Sequence, residues 1–348
     1  MTNGKKPTIK DIALQSGYSK TAVSFAFNEP SRISDKARTT ILEVANRLGY
    51  IPDPMARNFS LHRHMSIGFL LPQEIEYSLG NPYITQVILG IGTICQQQGY
   101  TLTLIPPLNH SILDAVKNAV VDGLIAMGMQ VGMDIVDMMN TRMIPYVTID
   151  GTPSADMPSV NIKDMEAACK LMSLVLTKEH RNLAIVSLSK DAFSTEGNMN
   201  SVPARRALGY DTALRKVGLT LQDENVHHFV SECTYLNGMC VAQEIAKLNP
   251  LPTAVVTMSD IVAIGCISYF QSQDIKVPQD ISVVGFDNID SAKLVSPQLT
   301  TVDQPALLKG SIAAKALFSM INGEELVTKH MEIPYSIVIR QSLAQARR

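Results

Sequence analysis

The first 65 residues constrain the fold more than any other part of the chain, because they follow the pattern of a helix-turn-helix. Residues 8–13 (TIKDIA) predict a short helix, residues 16–19 (SGYS) a turn, and residues 20–24 (KTAVS) the start of a second helix. In a helix-turn-helix the second helix enters the DNA major groove. The N-terminal segment therefore predicts an all-α unit that binds DNA.

Capping residues mark the three helices that this unit needs. Thr8 caps the first helix in a capping-box-like arrangement, Ser19 caps the second, and Ser34 begins the third, which ends at Gly49. The apolar positions of each helix fall on one face. Three short helices around one apolar cluster predict a helix-turn-helix domain over residues 1–52.

The second helix has an exposed face, since the first and third helices close the core. Near its N-terminal end lie the candidates for contacts with base edges, namely Lys20, Thr21 and Phe25. Better placed for phosphate contacts are Ser19, Ser24 and Asn28. Thr8 is a further candidate DNA contact. For each polar residue the alternative is an ordinary exposed helix position.

Residues 53–65 predict a linker that contains a short hinge helix. A helix of about eight residues is too short to be stable alone, so we expect it to form when DNA is present. Phe59 would then be an apolar wedge in a minor-groove base step, with Arg57 near the phosphates. The alternative is a disordered tether in which Phe59 packs on the rest of the protein.

Basic residues are concentrated at the N-terminal end. Residues 1–64 contain ten Lys and Arg against five Asp and Glu, whereas the remaining residues contain 20 basic and 27 acidic side chains. Such a division attracts phosphate to one end of the protein and repels it from the other. Charge alone is also compatible with a solvated basic surface, but the helix-turn-helix pattern favours DNA binding.

From Ser66 onwards, short β-rich segments alternate with helical segments. The predicted strands are 66–71, 101–105, 123–127, 146–149, 183–188, 226–230, 254–258 and 281–286. This alternation predicts parallel sheets that are covered by helices on both faces. The two series of strands predict two doubly wound subdomains, with a ligand cleft between them at the carboxyl ends of the strands.

Polar residues that directly follow the predicted strands are candidates for this cleft. They are Asp150, Ser259, Asp260 and Asp287, and Arg206 is predicted to begin a helix. Each one alone is more often a cap or turn residue. Several together favour a polyol or another hydrogen-bonding ligand, because a carboxylate accepts paired hydroxyls and an arginine donates in a fixed fork.

No pattern in the sequence predicts an enzyme, a cofactor or a bound metal. The segment 90–92 lacks the third glycine of a dinucleotide-binding fingerprint, and no GxxxxGK[ST] motif is present. The five cysteines show no CxxC spacing and predict reduced thiols. With no apolar run of about 20 residues and no signal peptide, we expect a cytoplasmic protein without a membrane partner.

Short segments along the whole chain match one known family. In order they are TIKDIA (8–13), TAVS (21–24), LGYIP (48–52), AR (56–57), IG (67–68), NPY (81–83), GY (99–100), VDGLI (121–125), SVVGFD (282–287), LTTV (299–302) and IRQS (339–342). On these segments the chain resembles the LacI/GalR family of bacterial transcriptional regulators. The resemblance implies an N-terminal helix-turn-helix headpiece with a hinge helix, followed by an α/β periplasmic-binding-protein-like body of two doubly wound parallel-sheet subdomains.

The resemblance also implies a function. It implies a repressor that binds a pseudo-palindromic DNA operator as a homodimer, under the control of a small-molecule effector that is a sugar or sugar derivative. The hinge helices of the two subunits would pair and push the Phe59 side chains into the central base step. The implied effector-contacting residues are Arg206, Ser259 and Asp287, with Tyr83 and Asp150 on the opposite wall. The short tail after Leu343 favours a dimer over a tetramer.

The chain departs from the family's pattern at several positions. Phe59 stands where leucine is usual, and Phe25 stands where arginine or histidine is frequent. Because Phe25 cannot hydrogen-bond a guanine, contact with a thymine methyl is the available alternative. Ser259 replaces a common asparagine, and Cys233 replaces an aromatic platform. A stacked sugar ring would need another aromatic side chain, which could be Phe193, Phe229 or Tyr235.

These observations predict three domains and leave two alternatives. The predicted domains are the DNA-binding domain 1–52, the hinge 53–65, and a ligand-binding and dimerisation domain 66–348, with an N-subdomain of about 66–161 and 291–322 and a C-subdomain of about 162–290 and 323–342. A solute-binding transport protein shares the two-lobed body, but would need an export signal and no headpiece. A regulator that answers to a protein partner instead of a metabolite is the second alternative.

Overall fold

The chain divides into an N-terminal headpiece, Met1–Met65, and a larger body, Ser66–Arg348. The computed structural model describes residues 6–52, 58, 63–129, 133–152, 157–193 and 200–347. Arg57 and Phe59, the two linker residues that were predicted to contact DNA, lie outside the described residues.

The headpiece contains the predicted helices. They are α1 (Ile9–Ser16), α2 (Lys20–Asn28) and α3 (Asp35–Arg47), with a 3-10 turn at Pro30–Arg32. Their buried side chains form one apolar cluster, namely Ile12, Val23, Ala26, Ile41, Val44 and Ala45. These residues come from all three helices, so each helix depends on the other two for the burial of its apolar face.

Local hydrogen bonds cap the N-terminus of each of these helices, as the sequence predicts. The backbone nitrogen of Thr8 donates to the Asp11 carboxylate at 2.8 Å, which completes a capping box. Ser19 Oγ accepts from the backbone nitrogen of Ala22 at 3.1 Å, and Ser34 Oγ accepts from that of Ala37 at 3.3 Å. These contacts satisfy backbone donors that have no partner within the helix.

The described part of the body contains two six-stranded sheets. In chain order the strands are β1 (Ser66–Leu70), β2 (Thr101–Ile105), β3 (Gly123–Met127), β4 (Tyr146–Ile149), β5 (Ser159–Asn161), β6 (Leu183–Ser187), β7 (Val226–Val230), β8 (Ala254–Thr257), β9 (Ser282–Asp287), β10 (Thr300–Asp303), β11 (His330–Glu332) and β12 (Ser336–Val338). The eight predicted strands are all present, each within one residue of its predicted ends.

Helices connect these strands and cover the sheets. They are α4 (Ile75–Gly80), α5 (Pro82–Gln97), α6 (Ile112–Asn118), α7 (Asp134–Thr141), α8 (Asp164–Thr177), α9 (Val202–Arg215), α10 (Tyr235–Ile245), α11 (Asp260–Ser272) and α12 (Ala306–Ile321). Short 3-10 turns lie at Lys190–Phe193 and Asp290–Lys293. The strand-helix alternation of the sequence therefore corresponds to the predicted doubly wound architecture.

The two sheets share one topology. The first has the order β2-β1-β3-β4-β5-β11 and the second the order β7-β6-β8-β9-β10-β12, and all neighbours are parallel except β12 against β10. The first five positions of each order follow the same pattern, in which the chain passes from the first strand of the lobe to the edge strand beside it and then reverses direction to continue on the opposite side of the first strand. This reversal is the point where the carboxyl ends of strands leave room for a ligand.

The predicted boundaries between the two subdomains are wrong near the C-terminus. The prediction assigned 291–322 to the first subdomain, but β10 pairs in parallel with β9 of the second sheet. It assigned 323–342 to the second subdomain, but β11 pairs with β5 of the first sheet. A strand belongs to the sheet with which it forms hydrogen bonds, so β10 belongs to the second sheet and β11 to the first. We call the first lobe residues 66–161 and 306–332, and the second lobe residues 162–303 and 336–347.

Glycines allow two helices of the first lobe to approach closely. A Cβ on Gly310 of α12 would collide with the backbone carbonyl of Val87 on α5, and a Cβ on Gly90 of α5 would collide with that of Leu307. Both positions therefore exclude side chains. The close contact brings Lys309, which immediately precedes Gly310, against Tyr83 at the start of α5.

Within the described residues, no helix combines the length and the apolar character that a membrane span requires.

Candidate functional site

The headpiece presents exposed polar side chains at the start of α2. Lys20 and Thr21 occupy its first turn and are both exposed. Lys20 and Thr8 line a surface recess of about 960 Å³, and Lys6 and Lys10 contribute to the same recess. Three ammonium groups around one recess attract phosphate groups. The arrangement is therefore suited to the backbone of a nucleic acid.

The predicted phosphate contacts of α2 take part in hydrogen bonds inside the helix. Ser19 Oγ is the acceptor that caps α2, so its hydroxyl hydrogen can still be donated to another group. Asn28 Nδ2 donates to Ser24 Oγ at 3.3 Å. The bond fixes the orientation of both side chains on the partly exposed side of the helix.

Phe25 has a charged neighbour that the sequence did not reveal. The guanidinium carbon of Arg32 lies 5.2 Å from the centroid of the Phe25 ring, and Arg32 also pairs with Glu29 at 2.7 Å. Arg32 belongs to the 3-10 turn after α2. The cation–π contact places a donor-rich side chain beside a ring that cannot form hydrogen bonds itself.

In the body, the first lobe contributes a buried ion pair to the cleft. Lys309 Nζ donates to Asp150 Oδ1 at 2.5 Å and to the Tyr83 hydroxyl at 3.0 Å. The Tyr83 hydroxyl donates in turn to Asp150 Oδ2 at 2.6 Å. Burial, followed by the charge of Asp150, raises the pKa of Tyr83 well above its usual value, so this hydroxyl remains protonated.

The second lobe contributes Asp287, which is held by neutral donors. Ser259 Oγ donates to Asp287 Oδ2 at 3.1 Å, and the side-chain amide of Gln304 donates to Asp287 Oδ1. Gln304 follows β10 in the segment that leads into the first lobe. The side-chain carbonyl of Gln304 accepts from Lys309 Nζ at 2.8 Å, so Gln304 links Asp287 of the second lobe to Lys309 of the first lobe.

Arg206 lies in the same region and is paired with a buried carboxylate. Its Nε donates to Asp164 at 3.1 Å and its Nη1 donates to the carbonyl of Met258 at 2.7 Å. Its guanidinium carbon lies 3.6 Å from the centroid of the Phe286 ring. Burial opposes the ionisation of Asp164, but Arg206 and the neighbouring cations outweigh it and lower the pKa of this carboxyl.

Two carboxyl groups of the second lobe resist ionisation. Burial raises the pKa of Asp287 to about 6, against the opposing effects of Arg206, Gln304 and Ser259. Burial, followed by the charge of Asp287, raises the pKa of Asp260 to about 8. Asp260 accepts from Thr301 Oγ1 at 2.5 Å and from the backbone of Ile289 at 3.0 Å. These contacts fix Asp260 inside the lobe.

The two strand-end aspartates have uncommon backbone conformations. Asp150 after β4 has a φ of 58°, and Asp287 at the end of β9 has a φ of 129°. Residues other than glycine rarely adopt positive φ, and such strain concentrates at binding sites. The backbone at both carboxylates therefore has a positive φ, at the strand ends that contribute to the cleft.

Four of the five predicted effector-binding residues are joined in one buried network, and the fifth lies beside it. Tyr83, Asp150, Ser259 and Asp287 are connected through Lys309 and Gln304, and Arg206 stacks on Phe286 directly before Asp287. Arg206 was expected to begin a helix, but α9 begins four residues earlier, after the Ser201 cap. Sequence reasoning missed Lys309, Gln304 and Asp164. The signal for Lys309 was a single charged residue near the start of the largely apolar segment 306–314.

The position that lacks an aromatic platform forms a polar contact instead. The Cys233 thiol donates to Ser259 Oγ at 3.1 Å and accepts from Asn81 Nδ2 at 3.4 Å. Burial, followed by the charge of Asp287, raises the pKa of this thiol to about 12. Among the candidate replacements, the Phe193 ring packs against His228, with centroids 4.2 Å apart and the ring planes tilted by 56°.

Known proteins share both parts of this arrangement. The profile described as "Bacterial regulatory proteins, lacI family" matches residues 8–53, and that of a periplasmic binding protein-like domain matches residues 174–343. Together they cover the headpiece helices and most of the second lobe. The chain therefore combines a LacI-family helix-turn-helix domain with a periplasmic-binding-protein-like domain.

Whole-length relatives are transcriptional regulators. The repressor CytR of Escherichia coli (strain K12) is 27% identical over 342 residues, which cover 96% of this chain and 96% of that protein. The repressor PurR of Vibrio cholerae serotype O1 (strain M66-2) is 28% identical over 344 residues, which cover 97% and 98%. With this pair of domains and these relatives, the chain is a DNA-binding transcriptional regulator. The relatives named here are regulators and not enzymes.

Solved structures have the same fold. A lac repressor dimer bound to operator and the anti-inducer ONPF superposes with a TM-score of 0.80 at 22% identity, covering 98% of this chain and 100% of that one. A complex of the transcriptional regulator CelR with cellobiose gives a TM-score of 0.68 at 21% identity, covering 97% and 100%. At these identities the similarity establishes the fold.

Proposed function

We propose that this protein is a repressor that binds a pseudo-palindromic operator as a homodimer and is controlled by a small molecule in the cleft between its lobes. The observation that carries the proposal is the buried network in which Asp150 and Tyr83 of the first lobe are joined to Asp287 and Ser259 of the second. A ligand that exchanges with such a network changes how the lobes are held relative to one another.

Control requires that the effector prefers one arrangement of the lobes, because a ligand shifts an equilibrium only by its difference in affinity between the states. The arrangement would determine how a dimer presents its two linkers, residues 53–65, to the operator. In this proposal Lys20, Thr21 and Phe25 contact bases, while Phe59 enters the central base step. An inducer would weaken operator binding and a corepressor would strengthen it.

The chemistry of the cleft supports a sugar or sugar derivative as effector. Asp150 and Asp287 are carboxylates that can accept paired hydroxyl groups, and Arg206 offers a fork of donors. Related structures are described with cellobiose in CelR and ribose in a regulator from Enterococcus faecium. Because Cys233 occupies the place of an aromatic platform, recognition here depends on hydrogen bonds more than on stacking.

Selection of bound duplexes from a random oligonucleotide pool tests the DNA-binding part. We expect an inverted repeat of two half-sites, as a homodimer requires. Thr21→Ala should relax the sequence preference at one position of each half-site, whereas Lys10→Ala should weaken binding to all sequences and reduce its salt dependence. A single asymmetric site would contradict the homodimer.

Thermal unfolding with a library of sugars and nucleosides tests the effector part. A ligand at 100 times its dissociation constant adds about 2.7 kcal/mol to the stability of the protein. Arg206→Ala should abolish the response of operator binding to that ligand and leave operator binding itself intact. A library without any stabilising compound would favour a regulator that answers to a protein partner.

A further inference from the structure

The cleft network has a lysine ammonium at its centre. Lys309 is fully buried, and its Nζ is surrounded by the oxygens of Asp150, Tyr83 and Gln304 at 2.5 to 3.0 Å. An ammonium group has three hydrogens, and these three acceptors use all of them. Burying an ammonium group costs free energy unless the group is paired with acceptors. We therefore expect Lys309 to keep these three acceptors close to one another.

The hydrogen bonds of this lysine belong to a chain that crosses the cleft twice. From Lys309 the chain runs through Gln304 and Asp287 to Ser259 of the second lobe. Ser259 accepts from Cys233, whose sulfur accepts from Asn81 of the first lobe. Asn81 caps α5, two residues before Tyr83, so the chain returns to the helix that contacts Lys309.

A second contact closes the same edge of the cleft. The backbone nitrogen of Cys233 donates to the Tyr77 hydroxyl of α4 at 2.7 Å. Cys233 of the second lobe is therefore held by Tyr77 and Asn81 of the first lobe, and only 6% of its surface is exposed. The exposure of this thiol consequently depends on the distance between the lobes.

We propose that Lys309 is an internal ligand of the effector cleft, whose ammonium holds the two lobes together when no effector is bound and is displaced when the effector binds. The proposal rests on the proposed function for the existence of an effector, whereas the holding role concerns the chain alone. In this proposal Lys309 is a positioning residue. Part of the effector's binding free energy is used to break the hydrogen bonds of its ammonium group.

The acceptors around Lys309 also define the effector's chemistry. A group that replaces the ammonium must donate hydrogen bonds to Asp150, Tyr83 and Gln304, as the hydroxyls of an uncharged sugar or an amino group do. A phosphate or carboxylate has no hydrogens to donate and would be repelled by Asp150. The internal ligand therefore selects uncharged or amino-bearing polyols over phosphorylated ones.

Alkylation of Cys233 by N-ethylmaleimide, without effector or DNA, tests the holding role. Cys169 and Cys240 are first replaced by serine because they are partly or fully exposed, whereas buried Cys95 and Cys266 remain as reporters of unfolding. Lys309→Met should increase the labelling rate of Cys233 at least tenfold, with Cys95 and Cys266 still protected. The matched control is Lys315→Met, an exposed lysine of the same helix, which should leave the rate unchanged.

A second variant keeps the test decisive if Lys309→Met unfolds. Asp150→Asn combined with Lys309→Met removes both charges of the buried pair, so no carboxylate remains unpaired in the interior. Faster labelling of Cys233 alone in this folded variant supports the proposal. A wild-type labelling rate in the folded variant would overturn it, whether or not a sugar controls operator binding.

The selectivity has its own readout. Thermal shifts of the full chain are compared for matched pairs, such as a sugar and its phosphate ester. We expect any stabilising member to be the uncharged or amino-bearing compound, with at least tenfold tighter binding than its ester. Tighter binding of the ester would overturn the displacement of Lys309.

Discussion

The contacts within the headpiece and the contacts within the cleft differ greatly in how far apart their partners lie along the chain. In the headpiece, Thr8, Ser19 and Ser34 are fixed by backbone or side-chain partners three residues away. In the cleft, Lys309 contacts Tyr83 and Asp150, which are 226 and 159 residues away in the chain. One region takes its geometry from neighbouring residues, and the other takes it from the packing of the whole body.

The difference has consequences for stability and for control. A capping bond at an exposed helix end can be replaced by a hydrogen bond to water, so we expect the effect of its loss to be small and to stay within the headpiece. A buried ion pair cannot be replaced by water, and the loss of one partner leaves a charge in the interior. Substitutions in the cleft should therefore have large and distant effects, whereas those in the headpiece should have small and local effects.

The largest effect is expected for Lys309→Met. It leaves Asp150 buried without its cation, which should lower the free energy of unfolding of the body by about 3–5 kcal/mol. The measurement is urea unfolding followed by circular dichroism. Combining the substitution with Asp150→Asn should recover most of the loss, and Lys315→Met should stay within about 0.5 kcal/mol of the wild type. Equal losses of unfolding free energy in the single and double variants would show that the unpaired charge of Asp150 is not the cause of the destabilisation.

Gly310→Ala is expected to have the next largest effect. The added Cβ meets the carbonyl of Val87, so α5 and α12 must separate or shift. Overpacking of this kind costs about 1–3 kcal/mol. Gly80, which has open space around it, provides the matched control, and Gly80→Ala should not destabilise the protein. Thermal unfolding of both variants tests the comparison, and similar melting temperatures would contradict a close helix contact.

Asp260→Asn should change how stability depends on pH. Because burial raises the pKa of Asp260 to about 8, the folded protein binds a proton that the unfolded chain releases near pH 4. Stability from this group is complete below pH 4 and is lost as the pH rises towards 8, with a slope of up to about 1.4 kcal/mol per pH unit. The variant should show a flatter decrease in melting temperature between pH 5 and 8. An unchanged dependence of melting temperature on pH would show that a group other than Asp260 binds this proton.

The smallest effect is expected for Thr8→Ala in the headpiece. It removes one side of the capping box and should destabilise α1 by about 1 kcal/mol without changing the body. Hydrogen exchange of the full chain, followed by mass spectrometry of peptides, separates the two regions. Faster exchange that extended into α5 or α12 would show that the headpiece is not an independent local unit.

The same difference in range explains what the sequence could predict. The caps at Thr8, Ser19 and Ser34 and the strands β1 to β4 follow from local patterns, and the structure contains them. Strands β5, β10, β11 and β12 were not predicted: β5, β11 and β12 have only three residues each, and β10 has four. The subdomain boundaries were wrong for this reason.

The cleft shows a similar division. Asp150 and Asp287 could be predicted because a polar residue at the end of a strand is visible in the sequence. Lys309 could not, because its role depends on Gly310 and on the contact between two helices far apart in the chain. Asp164 was missed for a comparable reason, since its partner Arg206 lies 42 residues away.

The most direct test of the account is operator affinity as a function of cleft occupancy. A labelled operator duplex, obtained by selection, is titrated with the full chain at fixed salt, with and without a ligand found by thermal unfolding. We predict that saturating ligand changes the dissociation constant by 5- to 150-fold in the wild type and leaves it unchanged in Arg206→Ala. An identical dissociation constant in the wild type, with the ligand shown to be bound, would contradict control of DNA binding by the cleft.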